Sequence, residues 1–211
     1  MNQYKAAELL LDIEAVVLSP EHPFTWSSGL QSPIYCDNRL LMSYPDARKQ
    51  VAEWFSAKAR ELGADIIAGT ATAGIPHAAW AADLAGLPMI YVRSSPKSHG
   101  RKNKIEGNLP QGAKVLIVED LLSTGGSAFK AAEAVEEEGG IPVGIAAIFT
   151  YELHILQRQI EKRSFPVEAL TSFPILLDTA KSRKVISGQE ADQLANWNTD
   201  PAGWSDAFTR S

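Results

Sequence analysis

The chain has 211 residues, 45% hydrophobic and 21% charged, ordinary values for a soluble globular protein with one sizeable core and a small accessory lobe. Against 20 Lys and Arg stand 25 Asp and Glu, a net charge of −5, which argues against bulk attraction to nucleic acid or an anionic membrane. The single cysteine, Cys36, allows no intrachain disulfide and reads as a buried thiol in a reducing compartment. No signal-peptide core occurs, and no apolar run nears the roughly 20 residues of a membrane span. A cytoplasmic protein is expected.

Residues 4–18 read as an amphipathic helix, with Leu9, Leu10, Ile13, Val16 and Val17 near one face. The turn-rich stretch SPEHPFTWSSGLQSP leads to a short strand, IYCDNR, at 34–39. Over 45–62, Ala47, Val51, Trp54, Phe55, Ala59 and Leu62 recur at spacings of three and four, a second helix. DIIAGT (65–70) is an apolar strand, 75–86 a helix stopped by Gly86, and PMIYVR (88–93) another strand. After a long polar loop over 94–112 come the strand KVLIVED (114–120), a helix over 125–138 stopped by Gly139 and Gly140, and the buried strand VGIAAIFTY (143–151). Apolar strands alternating with helices predict an α/β fold, a parallel sheet covered by helices on both faces. Ligands of such sheets bind beyond the carboxyl ends of the strands. The tail, 174–211, with Trp197 and Trp204, reads as mixed helix and loop that packs with the N-terminal helix as a cap over one sheet edge.

VLIVEDLLSTGGS (115–127) carries the chemistry. Four apolar residues run into Glu119 and Asp120, then into Ser123, Thr124, Gly125, Gly126 and Ser127. A strand-to-helix turn collects free N–H groups and the positive end of the helix dipole, so it binds anions. Small residues let the backbone approach a phosphate closely. Ionised carboxylates repel phosphate but accept from the hydroxyls of a sugar diol. A phosphate cradle beside two diol acceptors describes a ribose phosphate. A glycosidase dyad needs carboxyls that flank a bond about 5–10 Å apart, which adjacent residues do not easily provide. No Gly-Lys-Ser/Thr and no G-x-G-x-x-G occurs here. The bland alternative, a strand end with solvated acids, fits an isolated acid pair better than it fits this whole run.

GTATAG (69–74) is either a diphosphate cradle built from backbone amides or a plain strand-to-helix turn. The 94–112 loop carries Lys97, Arg101, Lys102 and Lys104 after Arg93, which suits a lid over an anion as well as a solvated connection. His22, His77 and His154 are assigned no functional role.

VLIVEDLLSTGGS is similar to the phosphoribosyl-diphosphate motif of the type I phosphoribosyltransferases. FTWSSGLQSPIYCDNR (24–39) and VRSSPKSHG (92–100) resemble the orotate-using members of that family, and the similarity extends over most of residues 20–150. The resemblance implies a single domain with a parallel five-stranded-type sheet over about 38–170 and a small hood from about 1–37 and 171–211. It implies an enzyme that joins phosphoribosyl diphosphate to orotate, giving orotidine 5′-monophosphate and diphosphate. Mg2+ is the implied cofactor, held mainly by substrate with Asp120 or Glu119 nearby.

Residue by residue, the resemblance places Arg93, Lys97 and His99 on the diphosphate, usually supplied across the interface of a homodimer. Lys97 is the main catalytic cation, and His99 hydrogen-bonds or protonates an oxygen. Lys97, His99 and Asp120 form the implied catalytic set. Thr70, Ala71, Thr72 and Ala73 line the diphosphate, Glu119 and Asp120 the ribose, and Leu121, Leu122, Ser123, Thr124, Gly125, Gly126 and Ser127 the 5′-phosphate. Ser123, Tyr35 and Ser27 face the orotate. Ala73 and Ser94 stand where relatives carry lysines, as does Ser27, and Cys36 replaces one of two aromatics. TYELH lacks an arginine that some relatives carry after the fifth strand. Orotate is therefore expected to rest on backbone N–H groups, Ser123 and Tyr35, although Tyr35 and Trp26 suit core packing equally well. Arg101, Lys102 and Lys104 read as solvated. The rivals are a phosphoribosyltransferase for a purine, uracil or xanthine, and a non-catalytic regulator that senses phosphoribosyl diphosphate and binds nucleic acid. Lys97 and His99, together with the lack of a basic extension, favour the enzyme, with small-molecule substrates and neither nucleic acid nor membrane as partner.

Overall fold

The computed structural model describes residues 2–26, 29–95 and 104–210. The first helix, α1, spans Gln3–Asp12 and is capped by Asn2, whose side chain accepts from the Lys5 N–H at 2.8 Å. It stops well short of residue 18, where the periodicity had carried it. Glu14 turns left-handed (φ 55°), and the β-branched pair that follows goes into β1, Val16–Leu18. A hairpin of β2 (Phe24–Thr25) and β3 (Gln31–Ser32) precedes β4, Ile34–Cys36, which runs antiparallel to β1. The strand expected over 34–39 is cut to three residues because the Asp37 carboxylate accepts from the Arg39 N–H (3.2 Å) and starts a 3-10 turn over Asn38–Ser43.

The main sheet follows. Its elements are α2 (Pro45–Glu61), β5 (Ile66–Thr70), α3 (Gly74–Ala85), β6 (Met89–Val92), β7 (Ile105–Glu106), β8 (Lys114–Leu122), α4 (Gly126–Glu137), β9 (Ile141–Thr150), α5 (His154–Ile160) and β10 (Val167–Ser172). The spatial order among the described residues is β10-β9-β8-β5-β6-β7. The first five run parallel, and β7 adds an antiparallel edge, pairing Ile105 with Val92 and Glu106 with Tyr91. Two expectations change here. The 94–112 stretch is not structureless throughout, since it supplies β7. The fifth parallel strand is VEALTS (167–172), whose first half is only partly buried and so lacks a clear apolar run.

Strand alternation explains the apolar four of β8. Leu116 and Val118 face a core shared with Leu10, Val51, Phe55 and Ala78 from α1, α2 and α3 and with Leu176 from the C-terminal tail. Val115 and Ile117 face a second core with Ala128, Phe129, Ala132 and Val135 of α4 and Leu156 of α5. A strand covered on both sides has no polar face, and each large side chain so buried stabilises the fold by about 1.5–3 kcal/mol.

The tail consists of three helices among the described residues: α6 (Phe173–Ser182), α7 (Gly188–Thr199) and α8 (Pro201–Arg210). α6 packs on α1, which lies along β10, while α8 packs on β3. Trp197 is fully buried and meets Trp26, Tyr151 and Phe173 at ring-centroid distances of 5.7, 5.7 and 5.3 Å. Trp26 is thus a packing residue, with its indole N–H donating to the Ile34 carbonyl at 3.2 Å. No described helix is long and apolar enough to cross a membrane.

Candidate active site

Two strand ends and two helix starts meet at the carboxyl rim of the sheet. β5 ends at Thr70, and the 71–73 turn, with a cis peptide between Ala71 and Thr72, delivers α3. Gly74 opens α3 so close to β8 that a Cβ there would lie 2.5 Å from both the Thr70 hydroxyl and the Val118 carbonyl. Gly125 (φ 79°) opens α4, and a Cβ there would strike the Phe129 ring. Neither helix has a side-chain cap. The first N–H groups of α4 therefore stand at the rim without an internal partner, the arrangement an anion completes, whereas in α3 Ile75 donates to the Thr72 carbonyl (3.3 Å) and Pro76 has no N–H, leaving the Gly74 amide and the helix dipole.

Glu119 and Asp120 sit between these turns in different environments. Glu119 is 5% exposed. Its Oε1 accepts from the Thr70 hydroxyl (2.6 Å) and the Asp120 N–H (3.1 Å), and its Oε2 accepts from the Ser127 hydroxyl (2.6 Å). One buried carboxylate ties the 70–73 turn to the 123–127 turn. The Ser127 hydroxyl, expected as a donor to the 5′-phosphate, is in this structure engaged with Glu119, as is the hydroxyl of Thr70, whose stretch is expected to offer backbone amides. The Asp120 carboxyl has its pKa pushed well up from the aspartate range by burial first, then by the Glu119 charge beside it.

Around this pair the predicted residues distribute as follows. Leu122 is buried in the core and offers only its backbone; Leu121 and Ser123 are half-buried, and Thr124 is exposed. Arg93 lies at the end of β6, where its guanidinium meets Glu106 (3.4 Å) and the Ser95 carbonyl (3.2 Å). Tyr35 is 42% exposed, 5.5 Å from the Phe24 ring. Cys36 is half-buried rather than buried, and its thiol is raised by burial, then by Asp120 and Asp37. Ser27, Lys97 and His99, with Arg101 and Lys102, lie outside the described residues. His77 is buried against Trp80, and burial depresses its pKa to about 4, consistent with a packing role.

Three residues at the site escaped the sequence reading. A cleft of about 330 Å3 is walled by Thr70, Ala71, Arg93, Ser127, Lys104 and Lys130. Lys104, read as solvated, faces this cleft and approaches Glu137 at 3.4 Å. Lys130 stands one helical turn into α4 and was not singled out; a lysine three residues after an anion-binding turn was its available signal. Asn38 is 1% exposed and donates from Nδ2 to the Asp120 carbonyl at 2.7 Å. The cleft therefore gathers cations and free amides beside a carboxyl that resists ionisation, a setting for a phosphorylated polyol.

Comparison with known proteins agrees with this geometry. The model of the phosphoribosyl transferase domain matches residues 42–170. An orotate phosphoribosyltransferase of Enterococcus faecalis (strain ATCC 47077 / OG1RF) is 51% identical over 202 residues, 95% of this chain and 96% of that protein. The fold is shared with the orotate phosphoribosyltransferase of Aeropyrum pernix, at a TM-score of 0.71 and 24% identity over 83% of this chain and 98% of that one. The UMP synthase of Leishmania donovani gives a TM-score of 0.77 at 28% identity over 93% of this chain, which spans 42% of that longer protein.

Proposed function

The chain belongs to the phosphoribosyltransferase family, on its domain match and its relatives, and we propose that it transfers the 5-phosphoribosyl group of phosphoribosyl diphosphate to orotate, giving orotidine 5′-monophosphate and diphosphate in pyrimidine biosynthesis. The observation that carries this reading is the strand end at Glu119 and Asp120, flanked by two uncapped helix starts. The α4 turn suits the 5′-phosphate and the α3 turn the diphosphate, with the acid pair between them at the height of the ribose hydroxyls.

In the reaction the bond from C1 to the diphosphate oxygen breaks, and its electron pair leaves with diphosphate. A ring nitrogen of orotate supplies the new pair to C1, and the proton it carried is lost to water or to the departing diphosphate. Charge grows on the leaving group, so cations placed there act mainly in the transition state. Arg93, Lys104 and Lys130 line the cleft on this side, and Lys97 and His99 are assigned to close over it. Hydroxyl donation from the ribose favours the ionised form of Asp120, which then supports those hydroxyls while C1 becomes electron-poor. The exposed face of Tyr35 is offered to the planar base. Bound Mg2+ would supply charge neutralisation at the diphosphate, with Asp120 or Glu119 as the nearby carboxylates and the substrate as its main holder, since no group of three or more His, Cys, Asp or Glu is gathered among the described residues.

We assign the working form to a twofold dimer that shares Lys97, and the setting to the cytoplasm, where a lone thiol stays reduced. The test is phosphoribosyl-diphosphate-dependent loss of orotate absorbance in the presence of Mg2+. A protein that leaves orotate untouched but forms a nucleotide from another base would move the reading to a different acceptor. Formation of none would remove it.

A further inference from the structure

Beyond Val118, β8 loses its neighbour: pairing with β5 ends at Gly69 and Val118, while pairing with β9 continues to Leu122. The Asp120 carbonyl lies on this half-bare stretch, and the side chain of Asn38 takes it up, Nδ2 donating at 2.7 Å. Asn38 stands two residues beyond Cys36, the last residue of β4, at the start of the 3-10 turn that Asp37 opens. Asn38 is 1% exposed, and its Oδ1 is buried without a partner among the described residues. An unmatched buried acceptor costs stability, so stability alone does not account for an asparagine here. We propose that Asn38 is a positioning residue: it latches the base-facing strand β4 to the ribose-facing end of β8 and so sets the distance between the acceptor nitrogen and C1. The proposal rests on the phosphoribosyl-transfer reading above.

A latch of this kind acts when both substrates are in place. Misplacement by a fraction of an ångström to one ångström lowers the rate of joining without loosening either substrate. Asn38→Ala removes the donor and opens space. Asn38→Asp keeps the volume and turns the donor into an acceptor facing a carbonyl. Both variants are expected to lose about tenfold or more in kcat, with KM for phosphoribosyl diphosphate and for orotate held within about threefold. The wild-type protein, run in parallel, reports on the reading itself: no orotate turnover there rejects the reaction, whereas normal wild-type turnover with unchanged kcat in both variants rejects the latch. A loss confined to Asn38→Ala would assign the effect to volume and also overturn it. If neither variant folds, the side-chain amide protons of Asn38 in the wild-type protein decide. Protection from solvent exchange supports the latch, and exchange as fast as in an exposed asparagine overturns it.

Discussion

Thr70 donates its hydroxyl proton to Glu119 across 2.6 Å, so the end of β5 and the end of β8 are bonded to each other beneath the rim. Ser127 reaches the other oxygen of the same carboxylate from the start of α4. Thr70→Val keeps the shape and deletes the donor, leaving Glu119 buried and short of a partner. A loss of about 1–3 kcal/mol is expected, read as a lower midpoint in urea with an unchanged slope. An unaltered midpoint would show that Glu119 finds another donor and that the brace is not one.

Asp120 titrates in a direction that opposes folding at neutral pH. Its folded pKa is pushed up to about 7 by burial and by Glu119, while an unfolded aspartate stays near 3.9. The folded chain thus holds this proton where the unfolded chain has released it. The associated stability is complete below about pH 4 and is lost as pH rises toward the folded value. Asp120→Asn should flatten that part of the pH–stability curve and raise Tm at pH 8 while abolishing turnover. Equal slopes for the two proteins, measured without ligand, would contradict the assignment.

Lys97→Ala tests the assigned cation over the leaving group. Removing one transition-state contact of this kind typically lowers kcat by about 10²–10³, whereas KM for phosphoribosyl diphosphate should change only a fewfold. Parallel losses in kcat and in substrate binding would place Lys97 in ground-state binding instead.

Sharing of Lys97 across a twofold interface has its own signature. A verified heterodimer of Lys97→Ala and Asp120→Asn chains carries one site with both lesions and one with neither. About half the activity per dimer should return. A heterodimer as inactive as its parents would mean that each site draws Lys97 from its own chain.

The sheet was legible where the chain is apolar on both faces. Val115 to Val118, with Ile66 and Ile67, fill two cores at once, and such runs mark buried parallel strands from sequence. β10 was not legible, because Val167, Glu168 and Ala169 are only partly covered or exposed. Residues 13–18 were misread because Ile13, Val16 and Val17 match a helical spacing that the turn at Glu14 interrupts. At the site, the acid pair and its small-residue turn could be read because the chemistry is contiguous in sequence. Asn38 could not, since it lies 82 positions from Asp120 and reaches it only once the intervening chain has folded. The inward fate of Glu119 was also hidden: nothing in a linear pattern says that Thr70 and Ser127 will claim both its oxygens.

The overhang of β8 has a consequence for protein engineering. Its final carbonyls are served by Asn38 at Asp120 (2.7 Å) and Thr150 at Leu122 (3.1 Å). Each comes from a different segment. Residues 115–127 transplanted onto a foreign scaffold would therefore arrive with naked oxygens and a wandering tip, however well the graft matched in length. The motif is portable only together with these two distant donors, which makes it a property of the assembled rim rather than a cassette.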